Sequence, residues 1–341
     1  MDAVMTGRDA EIQDFLAANG LADAARAPLA GDASARRYER LTRADGSTLI
    51  LVDTPAPAED LLPFIAIGEA LANLGLSVPA VHAADTGRGL AIQEDFGSET
   101  FSRLLAEDAD PAPLYTLATD ALITLHRSWP ADKAAALGLP VYDAALFVEQ
   151  VMLFPEVYGP AALGMPFSEQ DRCEFETAWR AVVEPACAGP SSLLLRDYHV
   201  DNLMRLPRDG VRAAGLIDFQ GAGTGPVAYD LVSLLEDARR DVAPELAEAM
   251  TARWLAAFPD RDAAAFRRSM AVLGAVRHTR IVAIFVRLAL RGRRGYLVHL
   301  PRVWRLLEAQ LAKPELAPVA AWFARHLPPE KRAGFVVPET A

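Results

Sequence analysis

Leu193-Leu194-Leu195 is a short apolar run that ends abruptly in Arg196-Asp197-Tyr198-His199-Val200-Asp201-Asn202, and this break limits the folds open to the chain more than any other feature. A buried strand here delivers polar side chains at its own end. Leu203 to Leu206, the turn Pro207-Arg208-Asp209-Gly210 and the run Val211 to Ile217 then read as a hairpin, followed by Asp218-Phe219-Gln220-Gly221. If Leu206 pairs with Val211, Asp218 lies three residues, or ~10 Å of extended chain, past the partner of Asn202. A bend after Ile217, which Gly221, Gly223 and Gly225 permit, would bring the two together, and Asp197 sits just before the same end.

The side-chain chemistry at these positions is coherent. An amide oxygen and a carboxylate, Asn202 and Asp218, are hard-oxygen ligands suited to Mg²⁺, which takes its remaining ligands from waters and substrate phosphates. Asp197, five residues before the asparagine, can accept a hydrogen bond from an incoming hydroxyl and orient it toward a terminal phosphate. Taken alone, the spacing Asp-x-His-x-x-Asn is as readily a turn former. The second carboxylate after a hairpin of the right length favours phosphoryl transfer. So does the helix from Pro226, with Leu231, Leu234, Leu235 and Ala238 on one face.

Elsewhere the periodicity changes once. Glu11 to Ala18 reads as a short amphipathic helix, and Tyr38 to Thr42 and Thr48 to Val52 as strands about an Asp-Gly turn. A core-facing helix is expected over Leu61 to Leu74, and short strands over Ser77 to Ala83 and Gly89 to Gln93. Beyond Glu94 the pattern is helical: Thr100 to Leu105, Pro113 to Ser128, Ala144 to Phe154, Ser168 to Cys187, Pro226 to Asp241, Ala243 to Phe258, Ala263 to Ala289 and Arg302 to Leu311. The Pro-rich tail after Lys313 is expected to pack loosely. The fold class is α+β, with a small antiparallel-sheet lobe over residues 1–94 and a larger, mainly helical lobe over 95–341.

Leu193 to Leu231 resembles the catalytic core of the aminoglycoside phosphotransferase family, relatives of choline and protein kinases, and the resemblance extends over most of the chain. It implies a bilobal protein-kinase-like fold, Asp197 as catalytic base, Asn202 and Asp218 as Mg²⁺ ligands, and Tyr229-Asp230-Leu231 as the start of a helix that buttresses the metal loop. It also implies that Gly31-Asp32-Ala33-Ser34 covers the ATP phosphates, and that Glu94-Asp95-Phe96 is a hinge whose backbone reads adenine. Asp95-Phe96-Gly97 spells the magnesium motif of protein kinases but precedes the base by about 100 residues; the metal carboxylate in this fold follows the base on the same hairpin. Relatives hold the α- and β-phosphates with a lysine on the third strand. This chain has only Lys133, Lys313 and Lys331, so either an arginine substitutes, Arg37 being the choice for its bidentate fork, or catalysis relies more on metal and loop amides.

Within the family the sequence is most similar to the anomeric kinases of N-acetylmuramate and N-acetylglucosamine. The phrases that carry this are Gly31 to Ser34 with Arg36-Arg37-Tyr38, Arg196-Asp197-Tyr198-His199, Tyr229 to Arg240, and Ile284-Phe285-Val286-Arg287-Leu288. The resemblance implies ATP-dependent transfer to the sugar 1-hydroxyl in peptidoglycan recycling. Arg36, Tyr198, His199, Arg280, Arg287 and Glu149 are then the candidates for contacting the acceptor, an arginine being best shaped to clamp the lactyl carboxylate of N-acetylmuramate. An aminoglycoside or other small-alcohol kinase shares every catalytic residue. The missing third-strand lysine also leaves open a nucleotide-binding regulatory module without catalysis.

Charge and composition narrow the partners. The net charge of −11 would repel a nucleic-acid backbone. Two cysteines, Cys173 and Cys187, neither build a disulfide scaffold nor suggest a zinc site, and a reducing cytoplasm is expected. The run Ile281 to Leu290 is about half the length of a membrane span. A monomer acting on a small amino sugar, with no membrane partner, is the simplest expectation.

Overall fold

The structure, a computed structural model, describes residues 7–29, 36–54 and 61–332. The expected phosphate loop, Gly31 to Ser34, lies outside the described residues. In chain order the first elements are α1 (Gly7–Ala18), β1 (Ala25–Pro28), β2 (Arg37–Thr42), β3 (Thr48–Asp53), α2 (Leu61–Asn73), β4 (Val81–Asp85) and β5 (Leu90–Glu94). Then come α3 (Phe101–Ala106), α4 (Pro111–Ser128), α5 (Lys133–Ala136), α6 (Ala144–Leu163), α7 (Glu169–Cys187) and β6 (Ser191–Leu194). Short strands β7 (Leu203–Arg205), β8 (Ala214–Leu216) and β9 (Gly223–Pro226) precede α8 (Ala228–Leu235), α9 (Pro244–Ala257), α10 (Ala263–Leu290), α11 (Leu300–Leu311) and α12 (Ala317–His326).

Contacts divide the chain into two compact units: Met1–Pro111 with Val200–Gln220, and Ala112–His199 with Gly221–Ala341. This differs from a boundary after residue 94, because the β7–β8 hairpin grows on the N-terminal segment. Met204 bridges Thr100, Arg205 donates to the Glu99 carbonyl at 2.8 Å, and Leu216 donates to the Ser77 carbonyl at 2.8 Å.

In the first unit five strands form an antiparallel sheet in the order β1-β2-β3-β5-β4. Ile12, Phe15 and Leu16 of α1 pack on Leu41, Leu51 and Ile92 of the sheet, so the apolar stripe read from the sequence is the face that is buried. β1 escaped the sequence reading because Ala-Arg-Ala-Pro has no β-favouring pattern. A forked ion pair from Arg26 to Glu39, at 2.6 and 2.9 Å, ties it to β2 instead.

The second unit is helical. α6 runs on to Leu163 through Pro155 and Pro160, past the expected end at Phe154, because its apolar face continues: Tyr158 stacks on Phe154 at 4.9 Å. Burial of that face outweighs the lost backbone hydrogen bonds. The tail after Lys313 does not pack loosely. α12 places Phe323 against Phe154 and Trp322 against Phe175, at 5.3 and 4.5 Å between ring centroids. In the other direction, the expected helix Pro226 to Asp241 is confined to α8, all eight residues of which are buried. α10 is long and apolar enough by composition to cross a membrane, yet 83% of its most apolar window is buried inside the protein, which marks a core helix.

β6 and β9 pair antiparallel with Leu194 opposite Gly223. A Cβ on Gly223 would collide with the Pro140 carbonyl and the Tyr142 ring, whereas one on Gly189 would meet open space. Gly223→Ala is therefore expected to destabilise the protein by ~2 kcal/mol or more, and Gly189→Ala to change stability by less than ~0.5 kcal/mol, as measured by chemical denaturation.

Candidate active site

The chain leaves β6 through a strained turn. Leu193, Leu194 and Leu195 are buried, and Arg196 then takes φ = +73°, a left-handed backbone that costs a long side chain ~1–2 kcal/mol. Hydrogen bonds hold it there. The carboxylate of Asp230, in the first turn of α8, accepts from the Leu195 N–H at 2.6 Å and the Arg196 N–H at 2.8 Å. Arg277 of α10 donates to the Arg196 carbonyl at 3.4 Å, and the Asp197 N–H donates to the Leu195 carbonyl at 2.9 Å. Gly221 leaves room for the Arg196 guanidinium, since a Cβ there would lie 3.2 Å from Nη1.

Asp197 sits at the tip of this turn among cations. Burial disfavours its charge, but Arg277, then Arg196, Arg280 and His199, outweigh burial and hold its pKa below the ordinary carboxylate value. Asp230 behaves oppositely. Burial is the largest influence and pushes its pKa up to about 7, although the two N–H donors and Arg277 pull it down. Two carboxylates 33 positions apart in sequence thus end up with pKa values displaced in opposite directions, the pattern of a functional site.

In the first unit the hairpin register differs from the sequence expectation. Leu203 faces Leu216, and Leu206 donates to the Ala213 carbonyl at 2.9 Å, because Gly210–Ala213 wind into a 3-10 turn and lengthen the loop. Asn202 therefore lies opposite Ile217, which donates to its carbonyl at 3.1 Å, and Asp218 is one residue beyond instead of three. Asp218 takes φ = +61°, the bend that the glycines downstream were expected to provide. Its carboxylate receives the Asn202 Nδ2 at 3.3 Å and the Gln220 Nε2 at 2.5 Å. Phe219 is buried and stacks on Phe64 of α2 at 5.0 Å, which anchors the bend. The Asn202 amide nitrogen faces the carboxylate here; with the amide turned over, its oxygen and the Asp218 carboxylate would suit a divalent cation that completes its shell with waters and phosphates. Among the described residues no group of three or more His, Cys, Asp or Glu side chains forms a metal site.

Glu149, Arg280 and Arg287, singled out separately from the sequence, line one cavity of about 570 Å³ walled by α6, α7 and α10, a volume suited to a small molecule. Arg36 is elsewhere. It is buried in the first unit with its guanidinium over the Phe64 ring at 5.2 Å. Tyr198 is also buried, and its hydroxyl donates to the Ala118 carbonyl at 2.8 Å, so it braces the turn. His199 is buried too, its Nε2 3.4 Å from a nitrogen of Arg239.

The expected nucleotide residues are engaged within the first unit. Arg37 pairs with Asp53 at 2.6 Å, a carboxylate that Arg8 also holds. Asp95 accepts a forked pair from Arg40, and Glu94 pairs with Arg208. Phe96 lies beneath the Arg208 guanidinium at 5.3 Å and packs on Gly215. Glu94 and Phe96 thereby brace the β7–β8 hairpin, and the side chains of Glu94, Asp95 and Phe96 are all engaged. Sequence reasoning missed Arg196 and Arg277 beside Asp197. The signal for Arg277 was its position one turn before Arg280.

Comparison with known proteins is consistent with this geometry. Residues 26–267 match the phosphotransferase enzyme family. The N-acetylmuramate/N-acetylglucosamine kinase of Caulobacter vibrioides is 36% identical, with the alignment covering 95% of this chain and 98% of that protein. The protein of the same name from Pseudomonas aeruginosa is 33% identical, covering 85% of each. Among solved structures, a choline/ethanolamine kinase family protein from Mesorhizobium loti superposes with a TM-score of 0.61 at 15% identity, covering 96% of this chain and all of that one. The GDP complex of aminoglycoside 2'-phosphotransferase-IIIa gives 0.61 at 14% identity, covering 90% of this chain and 99% of that one.

Between its ordinary value of 3.8 and about 7, Asp230 holds a proton in the folded state that the unfolded chain releases. Its contribution to stability is therefore complete below the ordinary value and is lost as pH rises through about 7. Thermal unfolding from pH 5 to 8 is expected to show a falling Tm, and Asp230→Asn, which cannot titrate, is expected to flatten that fall.

Proposed function

This chain belongs to the phosphotransferase enzyme family, and on that premise we propose that it is an ATP- and Mg²⁺-dependent kinase that phosphorylates the anomeric 1-hydroxyl of N-acetylmuramate and N-acetylglucosamine. The observation that carries the acceptor is the 36% identity to a kinase of that name along 95% of the chain. The cavity that gathers Glu149, Arg280 and Arg287 supports it: Glu156 and Glu176 on its wall are paired to Arg172 and Arg180, which leaves Arg280 and Arg287 as guanidinium donors for an anionic sugar beside Glu149.

Asp197 serves as the general base. The anomeric O–H gives its proton to the carboxylate as O1 bonds to the γ-phosphorus, the bond from phosphorus to the β,γ-bridging oxygen breaks, and ADP departs. A carboxylate held ionised by Arg277, Arg196 and Arg280 is a weak base, and an anomeric hydroxyl is more acidic than an ordinary alcohol. Little proton transfer is needed before a loose transition state, so orientation is the larger task. A divalent ion held by Asn202 and Asp218 would neutralise charge on the phosphate oxygens. The assignment of Gly31 to Ser34 to the phosphates rests on the family resemblance, since those residues lie outside the described structure, and the backbone of Glu94 to Phe96 reads the adenine. The site of action is the cytoplasm, and the product α-1-phosphate feeds the recycling of cell-wall amino sugars.

³¹P NMR of the product from ATP, Mg²⁺ and N-acetylmuramate is expected to show phosphate on carbon one; transfer to carbon six, or none, overturns the proposal. Asp197→Asn is expected to lower kcat by ~10²–10⁴-fold with little change in KM. Arg277→Met removes the leading cation beside Asp197, and the acidic limb of the kcat/KM profile is expected to move to higher pH.

A further inference from the structure

The cavity walled by α6, α7 and α10 carries more charge than phosphoryl transfer needs, and most of it is already paired. Glu156 is held by Arg172 at 3.0 Å and Glu176 by Arg180 at 2.7 Å, while Arg180 also reaches Glu184 at 3.9 Å. The remaining cations are Arg280 and Arg287. Arg280 contributes to the field on Asp197 and so belongs to the reacting end. Arg287 follows it by seven residues on the same helical face, with Ile284 between them, about 10 Å further along the axis. Among the described residues Arg287 makes no side-chain hydrogen bond or ion pair.

The two proposed acceptors differ at one place. N-acetylmuramate carries a lactyl ether on O3 that ends in a carboxylate, where N-acetylglucosamine has a hydroxyl. By ordinary bond lengths that carboxylate lies on the order of 8 Å from the anomeric oxygen. With the anomeric carbon at the Asp197 end, the span is of the same order as the ~10 Å axial rise between the two positions. A guanidinium fork with no partner in the protein is the donor best shaped for a carboxylate at that point. The next arginines along the chain do not line this cavity, since Arg291 caps the end of α10 and Arg294 begins the 3-10 turn beyond it, and Arg36, the other arginine candidate from the sequence, lies in the other unit.

Resting on the proposed acceptor chemistry, we propose that Arg287 binds the lactyl carboxylate of N-acetylmuramate and thereby sets the preference between the two amino sugars.

The test measures kcat and KM for N-acetylmuramate, its methyl ester and N-acetylglucosamine in the unmutated protein and in Arg287→Met, Arg287→Lys and Arg280→Met. Arg287→Met is expected to lose about 10- to 100-fold in kcat/KM on N-acetylmuramate, mostly through KM, and less than about 3-fold on the two uncharged sugars. Arg287→Lys, which keeps the charge but not the fork, is expected to recover part of the loss. Equal losses on all three acceptors, no loss, or a selective loss in Arg280→Met instead would overturn the assignment. Should Arg287→Met not fold, an unchanged ratio of the two sugars in Arg287→Lys overturns it as well. If the unmutated protein phosphorylates none of the three, the acceptor reading itself fails and takes this inference with it. If it phosphorylates both sugars and the Arg287 variants do not discriminate, only the inference fails.

Discussion

Two backbone N–H groups at the end of β6 donate to one buried carboxylate, Asp230, and the placement of Asp197 follows from that arrangement. Arg196 leaves the strand in a left-handed conformation that its own side chain disfavours, so an external acceptor must offset the strain. α8 supplies it from its first turn. Because every residue of α8 is buried, the acceptor is as rigid as the core it sits in. Asp197 then has a fixed place at the tip of the turn without a restraint on its own carboxylate from Asp230.

The arginines show how a chain with three lysines distributes its positive charge. In the first unit they act mostly as planar forks on carboxylates: Arg26 on Glu39, Arg40 on Asp95, Arg208 on Glu94, and Arg8 with Arg37 on Asp53. Such pairs hold β1, the segment after β5 and the hairpin in register, a task that suits guanidinium geometry better than an ammonium point charge. In the second unit Arg196, Arg277 and Arg280 surround Asp197, and their combined field outweighs the burial that would otherwise protonate it.

Much of the site was legible before any coordinates. The apolar run that stops at Leu195, the hairpin and the carboxylate after it are local features of chain order, and chain order alone pairs Asn202 with Asp218. The register was not legible, since a 3-10 turn at Gly210–Ala213 and extended residues there have similar sequence signals. Arg37 and Arg36 stand side by side in sequence, yet one faces Asp53 and the other the Phe64 ring. Alternation along a strand separates two such neighbours, and nothing in their identity says which face will be filled.

Periodicity and residue chemistry by themselves determined a small antiparallel sheet followed by helices, and the proximity of Asn202 to Asp218 across a hairpin. Those properties depend on residues close together in the chain. Tertiary structure alone decided that α6 continues through two prolines, that the C-terminal segment packs as α12, and that Glu149, Arg280 and Arg287 share a cavity. Each of these outcomes is set by contact between segments distant in sequence. The free energy of burying a shared surface is invisible until the second segment is in place.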